Sequence, residues 1–201
     1  MKKFKTAVIL AGGKSSRMGF DKQFLKINEK RLINVLIDTL KKEFEEIIIV
    51  TNKKNEYKDF LCKIVCDEIK EKGPLSGIHV GLKESSSKYV YFIACDMPNI
   101  NLNYIKFMKE KIENLNIDAC ITKINNNIQP FNGFYSKNII KYIEEIVFTD
   151  KKSLFYLVNN VKTLYIQEHE ARRYDKNLNM FINLNNYEDL NNFNSGGISI
   201  K

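Results

Sequence analysis

Three unbroken apolar runs set what this chain can fold into: Ala7-Val8-Ile9-Leu10, Ile47-Ile48-Ile49-Val50 and Tyr89-Val90-Tyr91-Phe92-Ile93-Ala94. A strand with one wet face alternates apolar and polar residues, whereas a strand covered on both faces reads as a continuous run of this kind. Between the first two runs, Leu32-Ile33, Leu36-Ile37 and Leu40 recur at helical spacing; Tyr104, Ile105, Met108 and Ile112 do the same after the third. Short strands over 63–65 and 119–122, and a helix opening at Gly73-Pro74-Leu75-Ser76-Gly77 and running through Leu82, complete this part of the pattern. Strands alternating with helices predict a mostly parallel sheet with helices on both faces and right-handed crossovers, a three-layer α/β/α Rossmann-like sandwich. After residue 125 the texture changes. Residues 129–135 and 162–167 read as strands, with helices between and after them, and the expectation is an elaboration of the same domain over the sheet's ligand-binding edge.

The chain has 201 residues, 44% hydrophobic and 28% charged, which suits one domain with a full core over residues 1–194 and a loose tail over 195–201. No apolar run reaches the roughly 18 residues of a membrane span. Met1-Lys2-Lys3-Phe4-Lys5 is basic, but the apolar run behind it is too short for a signal peptide, so a cytoplasmic protein with no membrane contact is expected. Cys62, Cys66, Cys95 and Cys120 show no CxxC pair, and only His79 and His169 could assist them. Buried free thiols in a reducing compartment are a better reading than zinc. The net charge of +8 is spread over lysines along the whole chain without a like-charge block, which suits a phosphorylated small molecule and singles out no nucleic acid.

In an open α/β sheet, ligands bind beyond the carboxyl ends of the strands, and four suspicious stretches fall there. The first is LAGGKSSRMGFDK, residues 10–22. Its Gly13-Lys14-Ser15 imitates the end of a phosphate-binding P-loop, but that loop needs a glycine where Val8 stands, inside a strand. What remains is a loop whose Gly12 and Gly13 let backbone N–H groups approach an anion, with Lys14, Arg17 and Lys22 to neutralise it. Thr51-Asn52 follows the second strand and Asp67, with the GPLSG turn, the third. Asp96, in Cys95-Asp96-Met97-Pro98, closes a run of six buried-type residues. A carboxylate there is costly unless it meets a cation or good donors. It suits Mg²⁺, which takes one or two carboxylates plus substrate phosphates; the alternative is an N-cap of the helix that follows. Nucleophilic catalysis finds no support, because neither histidine stands near a nucleophile in any motif, and Glu145 and Glu170 read as helix-surface residues.

LAGGKSSRMGFDK, GPLSGI, CDMP, QPFNGFY and FINLNNYEDL together resemble the MobA-like nucleotidyltransferases, in order and over residues 6–190. The pair Asp21-Lys22 favours the branch acting on molybdopterin over nucleotide-sugar pyrophosphorylases. The resemblance implies a nucleotidyltransferase fold with a nucleotide-binding half over about residues 1–100 and an acceptor-side half over the rest. It also implies a reaction: the terminal phosphate of molybdopterin attacks the α-phosphate of Mg·GTP, and pyrophosphate leaves. By that likeness Leu10, Ala11, Gly12, Gly13, Asn52 and Asp67 contact the nucleotide, Lys22 grips its phosphates beside Arg17, and Asp96 binds Mg²⁺. Asn183 and Asn185 face the acceptor, although Asn186-Tyr187 stand where Thr-Pro is common in the family. Molybdoenzyme chaperones are expected partners. Rival expectations are a cytidylyltransferase, a transferase for another phosphorylated acceptor, and a non-catalytic nucleotide-binding module.

Overall fold

The computed structural model describes residues 2–12, 26–27, 30–66, 69, 73–184 and 189. Seven strands form one sheet: β1 (Thr6–Leu10), β4 (Glu46–Val50), β5 (Lys63–Val65), β6 (Tyr89–Ala94), β7 (Ala119–Ile124), β8 (Asn127–Ser136) and β9 (Thr163–Gln167). They lie in the order β5-β4-β1-β6-β8-β7-β9, and a two-stranded hairpin of β2 (Lys26–Ile27) and β3 (Lys30–Arg31), which the sequence pattern had not suggested, stands apart. Every neighbouring pair in the large sheet is parallel except the two that involve β8, which runs against both β6 and β7.

The side chains of one strand point alternately to opposite faces, and each face has its own core. Ala7 and Ile9 of β1 pack with Ile47, Ile49, Tyr91 and Ile93 against helices α1 (Leu32–Leu40) and α3 (Leu102–Ile112). Val8 and Leu10 pack with Ile48, Val50, Val90 and Phe92 against α2 (Pro74–Glu84), α4 (Ile140–Ile146) and α5 (Leu154–Asn159). Two cores on two faces explain why the central strands carry no polar alternation, and they confirm the three-layer α/β/α reading.

Helix α2 is covered all round, with Leu75 to Leu82 buried without a break. Gly81 lets it lie close on the sheet: a Cβ there would stand 2.7 Å from Phe92 Cε1 and 3.1 Å from Val8 Cγ1. Both neighbours are fully buried and have nowhere to go.

Strand β8 is irregular. Cys120 of β7 pairs with Phe134, but Thr122 pairs with Gln129, so between these pairs one residue of β7, Ile121, faces four of β8. Pro130-Phe131-Asn132-Gly133 fills this bulge, and a proline in an inner strand is tolerated where ladder pairing is broken in this way. Pairing of β8 with β6 stops at Phe92 and Gly133, short of the carboxyl end of β6.

Gly81→Ala is expected to destabilise the protein by about 1–3 kcal/mol through overpacking. Urea unfolding should record it as a lower midpoint with an unchanged slope.

Candidate active site

Strands β5, β4, β1 and β6 end level, because Leu10 pairs with both Val50 and Ala94, and Val50 pairs with Val65. Backbone pairing carries on for one more residue. Ala11 N–H donates to Val50 O (2.8 Å), Thr51 N–H to Val65 O (2.9 Å) and Cys95 N–H to Leu10 O (3.0 Å). The second residue past each strand end is therefore the first to leave the sheet: Gly12 after β1, Asn52 after β4 and Asp96 after β6. With strands about 4.8 Å apart, the Gly12 backbone stands between Asn52 and Asp96. Leu10, Ala11, Gly12, Asn52 and Asp96, singled out in the sequence, are thus brought together on one edge. Gly13, Lys14, Arg17, Lys22, Asp67 and Asn185 lie outside the described residues.

Burial divides this row. Gly12 and Asn52 are exposed, whereas Asp96 is 9% exposed. Among the described residues, a Cβ on Gly12 would meet nothing closer than Val50 O at 3.9 Å. Packing among the described residues does not require glycine there, in contrast to Gly81, and the residue is exposed. Gly73, just before α2, is a third case: its φ of +68° favours glycine for conformational reasons.

Asp96 sits in a tight turn closed by Met97 N–H donating to Ala94 O at 3.2 Å. It does not cap the helix that follows. Asn101 does, its Oδ1 accepting from Tyr104 N–H at 3.0 Å while its Nδ2 donates to Tyr174 O at 2.9 Å. Pro98 lies in the irregular stretch between Asp96 and α3 rather than at a helix start.

A distant part of the chain closes over this turn. Leu184 N–H donates to Asp96 O at 2.8 Å, which puts the exposed Asn183 next in the chain to a residue docked on Asp96. Asn99 Nδ2 donates to Asn179 O (3.1 Å), Met180 N–H to Asp175 Oδ2 (2.8 Å) and Asn132 Nδ2 to Met180 O (3.1 Å). Asn132 also accepts from Tyr91 OH at 2.5 Å. Burial, with the neighbouring Tyr104 adding to it, pushes the Tyr91 phenol far above its ordinary range, so it remains a protonated donor. Sequence reasoning passed over Asn132 and Tyr91. The available signal was Asn132-Gly133, a turn dipeptide in the middle of a strand-like run.

Other titratable groups among the described residues stand elsewhere. His79 is buried on α2, its Nε2 2.9 Å from Glu144 Oε1 on α4, and Glu170 pairs with Lys111 at 2.9 Å. Burial, helped by the negative Glu170, pushes the Cys120 thiol up to about 12, which leaves it inert at neutral pH. Among the described residues no cluster of three or more His, Cys, Asp or Glu could hold a metal by itself. One buried carboxylate on an edge with bare backbone beside it is, however, the oxygen-donor set that Mg²⁺ takes when phosphates and water complete its shell.

A level row at the carboxyl ends of parallel strands is where open α/β sheets bind their ligands. A family model described as the MobA-like NTP transferase domain matches residues 7–162. The protein named probable molybdenum cofactor guanylyltransferase of Peptoclostridium acidaminophilum is 49% identical, the match covering 96% of this chain and 89% of that one. Molybdenum cofactor guanylyltransferase of Syntrophotalea carbinolica is 47% identical over 93% of this chain and 89% of its own. The solved structure of molybdopterin-guanine dinucleotide biosynthesis protein A from Archaeoglobus fulgidus shares the fold, with a TM-score of 0.82 at 21% identity over 94% of this chain and 97% of that one. The chain belongs to the MobA-like NTP transferase family and is a nucleotidyltransferase.

Separate roles for the two polar residues before α3 can be tested. Asn101→Ala is expected to cost about 1 kcal/mol and to speed hydrogen exchange at the Tyr104 amide. Asp96→Ala should leave that amide protected.

Proposed function

We propose that this protein transfers the GMP unit of Mg·GTP to the terminal phosphate of molybdopterin, releasing pyrophosphate and forming the guanine dinucleotide cofactor. The observation that carries this reading is the level row of Gly12, Asn52 and Asp96 with the 182–184 segment docked on Asp96. Nucleotide-side and acceptor-side motifs then flank a single carboxylate. The names of the similar guanylyltransferases support the choice of nucleotide and acceptor.

The chemistry suits such a site. An acceptor phosphate oxygen forms a bond to the α-phosphorus as the bridging α–β P–O bond breaks, and the electron pair leaves with pyrophosphate. The acceptor is already an anion, so no strong base is required, in keeping with both histidines standing away from the row. Positioning and charge neutralisation do most of the work. In this reading Leu10, Ala11, Gly12 and Gly13 offer backbone to the nucleotide, and the missing side chain of Gly12 allows close approach. Asn52 and Asp67 line the same side, Arg17 and Lys22 balance the triphosphate charge, and Asn183 and Asn185 face the acceptor. Asp96 would hold Mg²⁺ together with the phosphates, and the ion when bound offsets charge on them. The whole of 1–194 acts as one nucleotidyltransferase domain. Four free cysteines and no helix, among the described residues, long and apolar enough to cross a membrane fit a cytoplasmic enzyme that hands its product to molybdoenzyme chaperones.

Incubation with Mg·GTP and molybdopterin should yield the guanine dinucleotide, identified by mass. Asp96→Ala should lower turnover roughly 100-fold or more while the protein stays folded. Thermal shifts with GTP, CTP and ATP in parallel should favour GTP. Stabilisation by CTP alone rejects the guanylyl assignment, and near-normal turnover in the Asp96 variant rejects the metal assignment.

A further inference from the structure

Asn132 occupies a conformation that asparagine adopts at a cost. Its φ is +60° and the residue is 1% exposed, inside the bulge of β8. Glycine reaches the left-handed region freely; other residues enter it at a cost, which is smaller for asparagine than for most. A glycine does follow, at 133, but for a different reason: a Cβ there would stand 2.9 Å from Cys120 O. What asparagine supplies at 132 is therefore its side chain.

That side chain closes a ring. Its oxygen accepts from Tyr91 OH at 2.5 Å and its nitrogen donates to Met180 O at 3.1 Å. Tyr91 lies on β6, five residues before Asp96. Met180 lies four residues before Leu184, whose N–H returns to Asp96 O at 2.8 Å. The path from Asp96 down β6, across Asn132 and back along 180–184 is continuous and hydrogen-bonded, and a buried amide with both ends engaged holds its geometry tightly. Two other ties, Asn99 to Asn179 O and Met180 N–H to Asp175, anchor the start of the segment independently of Asn132. Loss of the Asn132 bond therefore leaves the segment attached, with Phe181 and Ile182 N–H still donating to Leu178 O and Asn179 O, and removes the tie that seats it against β8.

The geometry points to Asn132 as a positioning residue for the transfer reaction: through Tyr91 and the Met180 carbonyl it sets where 180–184, and Asn183 with it, stands over Asp96. Asn132 acts on the acceptor side only. The ties that level the nucleotide side, Ala11 N–H to Val50 O and Cys95 N–H to Leu10 O, do not pass through it. The inference rests on the proposed function in taking Asn183 as an acceptor-side residue.

Asn132→Gly tests it, because glycine keeps the left-handed backbone while both side-chain bonds disappear. Steady-state kinetics with each substrate varied in turn should show KM for Mg·GTP within about twofold of wild type and kcat/KM for molybdopterin down roughly tenfold. Hydrogen exchange should quicken at the Leu184 amide and stay unchanged at Met180, whose N–H is held by Asp175, and at Ala11. Tyr91→Phe keeps the ring in the core, removes the donor to Asn132, and should give a smaller loss with the same split between substrates. An Asn132→Gly enzyme with wild-type kcat/KM for molybdopterin overturns the inference, as does equal loss against both substrates or exchange that quickens uniformly. A wild-type protein that makes no dinucleotide overturns the proposed function instead, and exchange at Leu184 compared with Met180 still decides whether Asn132 holds the segment.

Discussion

Four parallel strands stop at the same register, and the site exists because they do. Had β4 or β6 slipped by two residues against β1, Gly12, Asn52 and Asp96 would leave the sheet at different heights. The register is fixed by the two cores, since a slip of one residue would turn every apolar side chain of a strand to the wrong face. In β1 that would exchange Ala7 and Ile9 with Val8 and Leu10, residues committed to helices on opposite sides. Packing far below the site thus decides the spacing at its surface. Gly81 belongs to the same chain of causes, because α2 seats on Val8 and Phe92, directly under two of the strand ends.

The other half of the sheet obeys a different logic. β8 reverses direction, bulges at 130–133 and releases β6 before its end. The gap this leaves beside the top of β6 admits the 179–184 segment, which brings its own hydrogen bonds to Asn132, Asn99 and Asp96. Regular pairing supplies rigidity on one side of Asp96, and broken pairing supplies room on the other.

The parallel half was legible in the sequence because burial on both faces leaves unbroken apolar runs, and Lys63–Val65 and Tyr89–Ala94 match the observed strands end for end. The reversal of β8 was not, since strand direction leaves no mark on composition or periodicity. Nor was its bulge, although Pro130 and the pair Asn132-Gly133 marked the spot. At Asp96 the pattern allowed two readings, a ligand carboxylate or a helix cap, because an acidic residue a few positions before a helical stripe fits both. The structure removes the cap reading, since Asn101 caps α3, a fact that depends on where the helix begins. The link from Leu184 to Asp96 joins residues far apart in the chain through backbone atoms alone, and no side-chain pattern announces such a contact. The short hairpin of β2 and β3 was also missed, being too brief to show a period.

The tie between Leu184 and Asp96 has a consequence for the order in which the molecule is built. The strands of the sheet all lie before residue 168, and those that level the nucleotide side are complete by residue 94. On a ribosome the scaffold can form while the segment that finishes the site is still being synthesised. A chain that stopped before residue 180 would contain every strand of the sheet yet lack the partner of the Asp96 carbonyl and of the Asn132 amide. Met180, Phe181 and Leu184 are also buried members of the core beside α3, so the segment that docks on Asp96 is part of the packing as well, and its late arrival would complete both together.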